Sequence, residues 1–219
     1  MTIVVEAAVD SLEDALAAVD GGADRLELCA NLSVGGTTPD QALIAAVVSR
    51  VRVPVAAMVR PRGGSFVYSD IDIGHMRRDI EMALDLGVAA VVLGVLDSSN
   101  RIDAGRSASL IDVAGASRVT FHRAFDRTPD PLAAIDTLMS LGVARVLTSG
   151  GAPTALEGVE TLASLVARAG ERLRILAGGG VRANNVRAIV NGSGVREVHA
   201  RCERDATRIR GIKAAIASS

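Results

Sequence analysis

The sequence has few cysteines and few aromatic residues. Its 219 residues include two cysteines, Cys29 and Cys202, which excludes a disulfide framework. Tryptophan is absent and aromatic residues make up 2% of the chain, so alanine, valine, leucine and isoleucine must build the core. These small and β-branched side chains suit buried parallel strands that are covered by helices.

Neither sign of charge is in excess, since 24 Lys and Arg residues oppose 25 Asp and Glu residues. We therefore expect no nucleic-acid partner. No apolar run approaches the roughly 20 residues that span a bilayer, and the N-terminal segment lacks the basic region of a signal peptide. We expect no membrane association and a cytoplasmic location, while homo-oligomerisation stays open. Lys213 is the only lysine, so almost all positive charge is arginine.

Short β-branched runs alternate with longer helical patterns along the whole chain. We predict strands at 3–8, 25–29, 55–60, 89–94, 118–122, 145–149, 173–177 and 195–199, and helices at 11–20, 39–51, 74–86, 103–114, 131–141, 153–169, 183–190 and 203–217. Strict alternation indicates a parallel sheet. Eight units in this length predict an α/β fold, a (β/α)8 TIM barrel in which residues 1–219 form a single domain. A doubly wound open sheet is the alternative, although it usually has fewer strands.

Several charged side chains are expected inside this barrel. Functional sites of the fold lie at the C-terminal strand ends, and side chains alternate along each strand. Alternation points Glu6, Glu27, Arg60 and His122 inward at the mouth. A buried charge needs a partner or a ligand, so we interpret these four residues as a functional site. For the deeper Arg25 and Glu197 we favour an internal ion-pair network in which Arg25 compensates Glu27 or Glu197.

The sequence around His122 predicts acid–base chemistry. The candidate catalytic residues are Glu6, Glu27, His122 and Asp126. Histidine can act as acid, base or metal ligand, and Asp126 lies close enough along the chain to orient it. An inward histidine can instead be a hydrogen-bonded core residue.

Arginine-rich and glycine-rich segments after the strands predict an anion site. The guanidinium groups in the segment RPRGG (60–64) suit a carboxylate or phosphate, unless they are simply solvated. The turns TSGG (148–151) and AGGGV (177–181) can present backbone N–H groups to an anion or can serve only as tight turns. The candidate anion-binding residues are Arg60, Arg62, Arg123, Ser149, Gly150, Gly178, Gly179 and Gly180.

Taken together, these motifs resemble the CutC copper-homeostasis family. The matching segments are GADRLELCA (22–30), RPRGG (60–64), YSD (68–70), GVLD (94–97), VTFHRAFD (119–126), RVLTSG (145–150) and EVH (197–199). The resemblance implies a (β/α)8 barrel, a cytosolic location and a role in copper homeostasis through Cu(I) binding. Relatives often carry cysteines where this chain has Ala7 and Ala8, so the resemblance leaves Cys29 as the thiol ligand, with His199 as a second candidate ligand.

Two functions are therefore expected. One is Cu(I) binding in copper homeostasis, which the family resemblance favours. The other is a barrel enzyme that acts by acid–base chemistry on a small anionic metabolite, phosphorylated or not, which the position of the motifs favours. The sequence leaves open whether the protein is an enzyme, and it identifies neither substrate nor reaction.

Overall fold

Eight strands alternate with eight helices in the computed structural model, which describes residues 2–217. The strands are β1 (Val4–Val9), β2 (Arg25–Leu28), β3 (Val55–Met58), β4 (Ala90–Leu93), β5 (Val119–Phe121), β6 (Arg145–Thr148), β7 (Arg174–Gly178) and β8 (Glu197–Arg201). The helices are α1 (Leu12–Asp20), α2 (Gln41–Arg50), α3 (Asp70–Asp85), α4 (Ala104–Ala114), α5 (Pro131–Ser140), α6 (Val159–Ala169), α7 (Val186–Ser193) and α8 (Ala206–Ala217).

The strands form one closed parallel barrel in chain order, and β8 pairs with β1 to complete it. The predicted TIM barrel is thus confirmed, and the open-sheet alternative is wrong. Each strand is followed by a helix that covers the outside of the sheet, as the βαβ connection requires. All eight C-terminal strand ends therefore lie at one end of the barrel, which we call the mouth.

Two helices begin four or more residues away from their predicted starts. Helix α3 begins at Asp70 rather than 74, because Ser69 and Asp72 form a capping box in which each side chain accepts a hydrogen bond from the other residue's backbone N–H. Helix α6 begins at Val159 rather than 153. The segment before it forms turns, since the N–H of Ala155 donates to the carbonyl of Gly179 in the neighbouring loop.

Alternation along the strands separates two environments. Outward side chains such as Leu26, Leu28 and Phe121 join the large apolar core between sheet and helices. The inward apolar cluster is much smaller and comprises Cys29, Ala56, Met58 and Val92. The rest of the described barrel interior includes charged side chains, and this interior positions the candidate site.

The described helices include none that is long and apolar enough to cross a bilayer.

Candidate functional site

A cavity of about 720 Å³ opens at the barrel mouth. A volume of this size is typical of small-molecule sites. The polar side chains that line it are Glu27, Arg60, His122, Arg123, Asp126, Arg127, Arg182, His199, Arg201 and Glu203. The structure therefore brings these charged or histidine residues of the sequence-predicted set to one cavity: Glu27, Arg60, His122, Arg123, Asp126 and His199.

A chain of ion pairs fills the barrel beneath this cavity. The Arg145 Nε lies 2.5 Å from Glu197 Oε2, and Arg25 Nη2 lies 2.8 Å from the same oxygen. Arg25 also donates from Nε to Glu6 Oε2 at 2.5 Å. Arg25 thus pairs with Glu197, one of its two expected partners, and with Glu6 rather than Glu27. Glu6 is fully buried in this network and is not among the residues that line the cavity, so it lies beneath the mouth rather than in it.

His199 connects this network to the cavity. Its Nδ1 lies 2.8 Å from Glu6 Oε1, and its Nε2 lies 4.0 Å from Glu27 Oε1. Burial alone would lower the pKa of His199, but the charge of Glu27 and the hydrogen bond to Glu6 outweigh it and raise that pKa. Burial likewise opposes the charge of Glu6, yet the hydrogen bond with His199 and the charge of Arg25 lower the pKa of Glu6 to about 2.

Glu27 and Cys29 form the upper end of this series of buried polar contacts. The Cys29 thiol is fully buried and donates to Glu27 Oε1 at 3.4 Å. Burial, reinforced by the charge of Glu27, raises the pKa of Cys29 well above its usual value. Burial also raises the pKa of Glu27, and its Oε2 is buried without a hydrogen-bond partner among the described residues. The thiol is therefore protonated, and one glutamate oxygen remains available to a ligand.

His122 lies on the opposite wall as a neutral hydrogen-bond donor. Its Nδ1 accepts a hydrogen bond from the N–H of Ala124, so the proton of the neutral ring is on Nε2. Burial and the charge of Arg60 lower the pKa of His122 to about 3. Gly94 makes room for the ring, because a Cβ at that position would lie 2.5 Å from two imidazole atoms. His122 Nε2 is buried and has no partner within the described chain.

Arg60 lies beside His122 and is almost fully buried. Its Nη1 donates to the carbonyls of Val34 and Gly36, and its Nη2 donates to the carbonyl of Gly64. The Nε group is buried without a hydrogen-bond partner among residues 2–217. Phe66 packs against both neighbours, with its ring centroid 4.8 Å from the Arg60 Cζ and 5.0 Å from the His122 ring centroid.

The structure does not bring Arg62 to the cavity. Its guanidinium donates to the carbonyls of Ser65 and Val67 and lies 5.0 Å from the ring centroid of Tyr68. These contacts hold the loop after β3 and use donors that an anion would need. Of the two arginines in the segment RPRGG, only Arg60 is placed to meet a ligand in the mouth.

Asp126 holds two loops together and does not orient His122. Its Oδ1 accepts from the Thr148 hydroxyl at 2.5 Å and from the N–H of Ser149 and Gly151, while its Oδ2 accepts from Arg123 Nε at 2.7 Å. The loops after β5 and β6 are thereby tied together. These contacts indicate a structural position, in contrast to the acid–base role expected from its sequence separation.

The glycine-rich turns divide into two groups. Gly179 and Gly180 line the cavity, beside Arg123. Gly150 and Gly178 lie behind it at points of close packing: a Cβ on Gly150 would lie 2.6 Å from the Gly158 carbonyl oxygen, and one on Gly178 would lie 2.5 Å from a methyl group of Leu147. Ser149 is fully buried and accepts a hydrogen bond from Arg123 Nη2 at 2.8 Å.

Sequence reasoning missed several cavity residues. Phe66 follows β3 within a loop, and an aromatic loop residue in a chain with 2% aromatics is a signal that could have identified it. Arg201 lies at the end of β8, so strand-end position could have singled it out as well, as it does single out Arg182 just beyond β7. Arg145 is predicted at the start of a strand, but its ion pair with Glu197 is not predicted. The two residues lie on β6 and β8, and β7 lies between these strands in the barrel.

Comparisons with known proteins give a consistent result. Residues 3–203 match the sequence pattern of the CutC family. A "family protein CutC" from Xanthomonas campestris pv. campestris is 48% identical over 196 residues, which cover 90% of this chain and 82% of that protein. The "Copper homeostasis protein cutC homolog" of Homo sapiens is 44% identical over 210 residues, or 96% of this chain and 76% of that protein.

Solved structures agree with the sequence relatives. The crystal structure of CutC from Streptococcus agalactiae matches with a TM-score of 0.86 and 36% identity, over 90% of this chain and 98% of that chain. Thiamine phosphate pyrophosphorylase from Pyrococcus furiosus matches with a TM-score of 0.68 at 13% identity, over 99% of this chain and 96% of that chain. At that identity the second likeness shows the barrel fold alone.

Proposed function

Since the chain belongs to the CutC family, we propose that it acts in copper homeostasis by binding Cu(I) at the barrel mouth, with Cys29 and His199 as ligands. The human relative carries copper homeostasis in its name. Copper is the cargo in this proposal rather than a resident cofactor.

The orientation of His199 carries the proposal. Its Nδ1 is held by Glu6 at 2.8 Å, which directs Nε2 toward the corner that Glu27 and Cys29 occupy. Metal-binding histidines are typically oriented in this way, because a carboxylate on one ring nitrogen fixes the ring and increases the basicity of the other nitrogen. Glu6 therefore supports the ligand His199 instead of acting on a substrate.

The nearby sulfur atoms suit the softness of Cu(I). Met58 packs in the same inward cluster as Cys29. A Cβ on Gly36 would lie 3.1 Å from the Cys29 Sγ and 3.4 Å from the Met58 Cε, so both side chains face the space that this glycine leaves open. Cys29, Met58 and His199 would offer a thiolate, a thioether and an imidazole, which are donors that copper accepts.

A cytoplasmic location is part of the same proposal. Both cysteines are free. Unpaired thiols persist where the environment is reducing, as in the cytosol. The names of the sequence relatives favour the copper role over the enzyme that motif position suggested.

A pair of thiol variants tests copper binding. We expect Cys29→Ser to raise the Kd for Cu(I) by about tenfold or more, because the thiolate is the strongest soft donor in the set. Cys202→Ser is the matched control, since Cys202 is also buried but its thiol bonds to the carbonyl of Asp205, whereas that of Cys29 bonds to the cavity residue Glu27. The measurement is anaerobic competition with a Cu(I) chelator. Equal affinities of the wild type and Cys29→Ser would contradict the proposed site.

A further inference from the structure

Three buried polar atoms around the cavity have no partner among the described residues: Glu27 Oε2, Arg60 Nε and His122 Nε2. All three residues line the cavity. Glu27 and His122 are each 3% exposed and Arg60 is 4% exposed. A buried polar group without a hydrogen bond is costly, and three of them around one cavity indicate the position of a ligand.

Arg60 adds a charge argument. No carboxylate of the described chain forms a salt bridge with it, and its only bonded acceptors are neutral carbonyls. The deeper network cannot supply the missing anion, because Glu6 and Glu197 are already paired with Arg25 and Arg145. A buried guanidinium without a carboxylate partner is unfavourable, so a negatively charged ligand in the cavity would stabilise Arg60.

The two free donors define the anion. The Nε–H of Arg60 and the Nε2–H of His122 lie on the same wall, where Phe66 contacts both side chains. Both groups only donate, so together they suit an acceptor with two oxygens. Because His122 is neutral, Arg60 supplies the single positive charge of this pair of donors, which a monoanionic carboxylate matches.

Glu27 defines a second feature of the ligand. Glu27 lines the same cavity, and its unpartnered Oε2 can accept a hydrogen bond from a hydroxyl group. Arginines at the rim, among them Arg123, Arg182 and Arg201, attract an anion to the mouth.

We infer that the mouth binds a small organic hydroxy acid, whose carboxylate accepts from Arg60 Nε and His122 Nε2 and whose hydroxyl donates to Glu27. This site adjoins the proposed Cu(I) site at Glu27, which bonds to Cys29, but its two donors, Arg60 and His122, are not among the proposed Cu(I) ligands.

Calorimetric titration of metal-free protein tests the inference. The ligands are lactate, glycerate, 3-hydroxybutyrate and gluconate, each compared with its neutral amide, and inorganic phosphate is a further competitor. We expect at least one acid to bind about tenfold or more tightly than its amide, because a hydrogen bond to a charged group is lost in the amide. Arg60→Gln should weaken that binding by about tenfold or more, whereas Arg78→Gln, which removes an exposed arginine on α3, should bind as the wild type does.

A second variant keeps the test decisive if Arg60→Gln fails to fold. His122→Phe retains a ring against Phe66 and Phe121 but removes the Nε2 donor, so it should also weaken binding of the acid. The inference is overturned if no acid in the set binds more tightly than its amide. It is also overturned if every variant that folds, of Arg60→Gln and His122→Phe, binds the acid as the wild type does. A third contrary outcome is competition by phosphate with an affinity equal to that of the best acid. Because the titrations contain a chelator and no copper, failure here leaves the Cu(I) test unaffected.

Discussion

His122 is a residue whose protonation is fixed by its surroundings. Burial and the charge of Arg60 lower its pKa to about 3, from an ordinary value of 6.5. The neutral ring accepts from Ala124 at Nδ1 and therefore presents a donor at Nε2 throughout the physiological range. The sequence leaves an acid, a base or a metal ligand open for His122, and the geometry of the ring favours a hydrogen-bond donor at Nε2.

This lowered pKa predicts a loss of stability in acid. As the pH falls below 6.5, the unfolded chain takes up a proton at His122 while the folded protein does not, until the pH approaches 3. Stability present at neutral pH is thus lost on acidification. Between pH 7 and pH 5 the wild type should lose about 2 kcal/mol more free energy of unfolding than His122→Phe. Urea unfolding at both pH values measures this difference, and equal losses in the two proteins would refute it.

The proposed copper ligands predict that Cu(I) binding, too, weakens on acidification. The pKa values of Cys29 and His199 are both raised, so each residue holds a proton that the metal must displace. One or two released protons should lower the Kd by about 10- to 100-fold between pH 6 and pH 7. Chelator competition at the two pH values checks this, with Cys29→Ser expected to show a shallower dependence. A Kd that does not change with pH would contradict the assignment of these ligands.

At the scale of elements, strands were easier to predict from sequence than helix starts. The strands follow from short β-branched runs such as those of β4 and β6, whose composition is their main signal. The sequence pattern places the start of α3 at Gly74, four residues after its actual start at Asp70. The capping box of Ser69 and Asp72 lies upstream of that glycine and satisfies the first N–H groups, so the helix includes it.

The capping box makes a testable contribution to the stability of α3. Removing the Ser69 hydroxyl leaves the N–H of Asp72 without its intramolecular acceptor. Ser69→Ala should lower the free energy of unfolding by about 1 kcal/mol. Ser49→Ala is a suitable control, because that exposed hydroxyl bonds only to a carbonyl within α2 and caps no helix start. Chemical denaturation of both variants makes the comparison, and equal stabilities would exclude a role of the cap.

At the scale of the whole molecule, the alternation of side chains along each strand predicts which charged residues face inward, but it does not predict which of them form ion pairs. Pairing depends on the stagger of strands around the barrel, which places Glu6 beside both Arg25 and His199. Sequence does not show this stagger, so Arg25 was assigned to Glu27 as readily as to Glu197. The same limit explains Asp126 and Arg62, whose partners lie in other loops or in the irregular part of their own loop.

The buried ion pairs connect distant parts of the barrel. Glu197 on β8 bonds to Arg25 on β2 and to Arg145 on β6, so its contacts bypass the strands that pair with β8. A carboxylate shared by two guanidinium groups cannot be removed without leaving buried positive charge uncompensated. The stability of the closed barrel should therefore depend on this one side chain more than on any exposed ion pair.

We expect Glu197→Gln to lower the free energy of unfolding by about 3–5 kcal/mol, the cost typical of breaking a buried ion pair from one side. Glu171→Gln is the matched control, since Glu171 pairs with Arg174 at the exposed surface, where an ion pair contributes little. Glu197→Gln leaves Arg145 without a carboxylate, whereas Arg25 keeps Glu6. Adding Arg145→Met removes that unpaired cation, so the double variant should lose less stability than the two single variants do in sum. Urea unfolding of the wild type and of these four variants measures all of these differences. If the double variant is strictly additive, Glu197 stabilises the barrel by packing rather than by charge, and the paired-charge account of the interior is wrong.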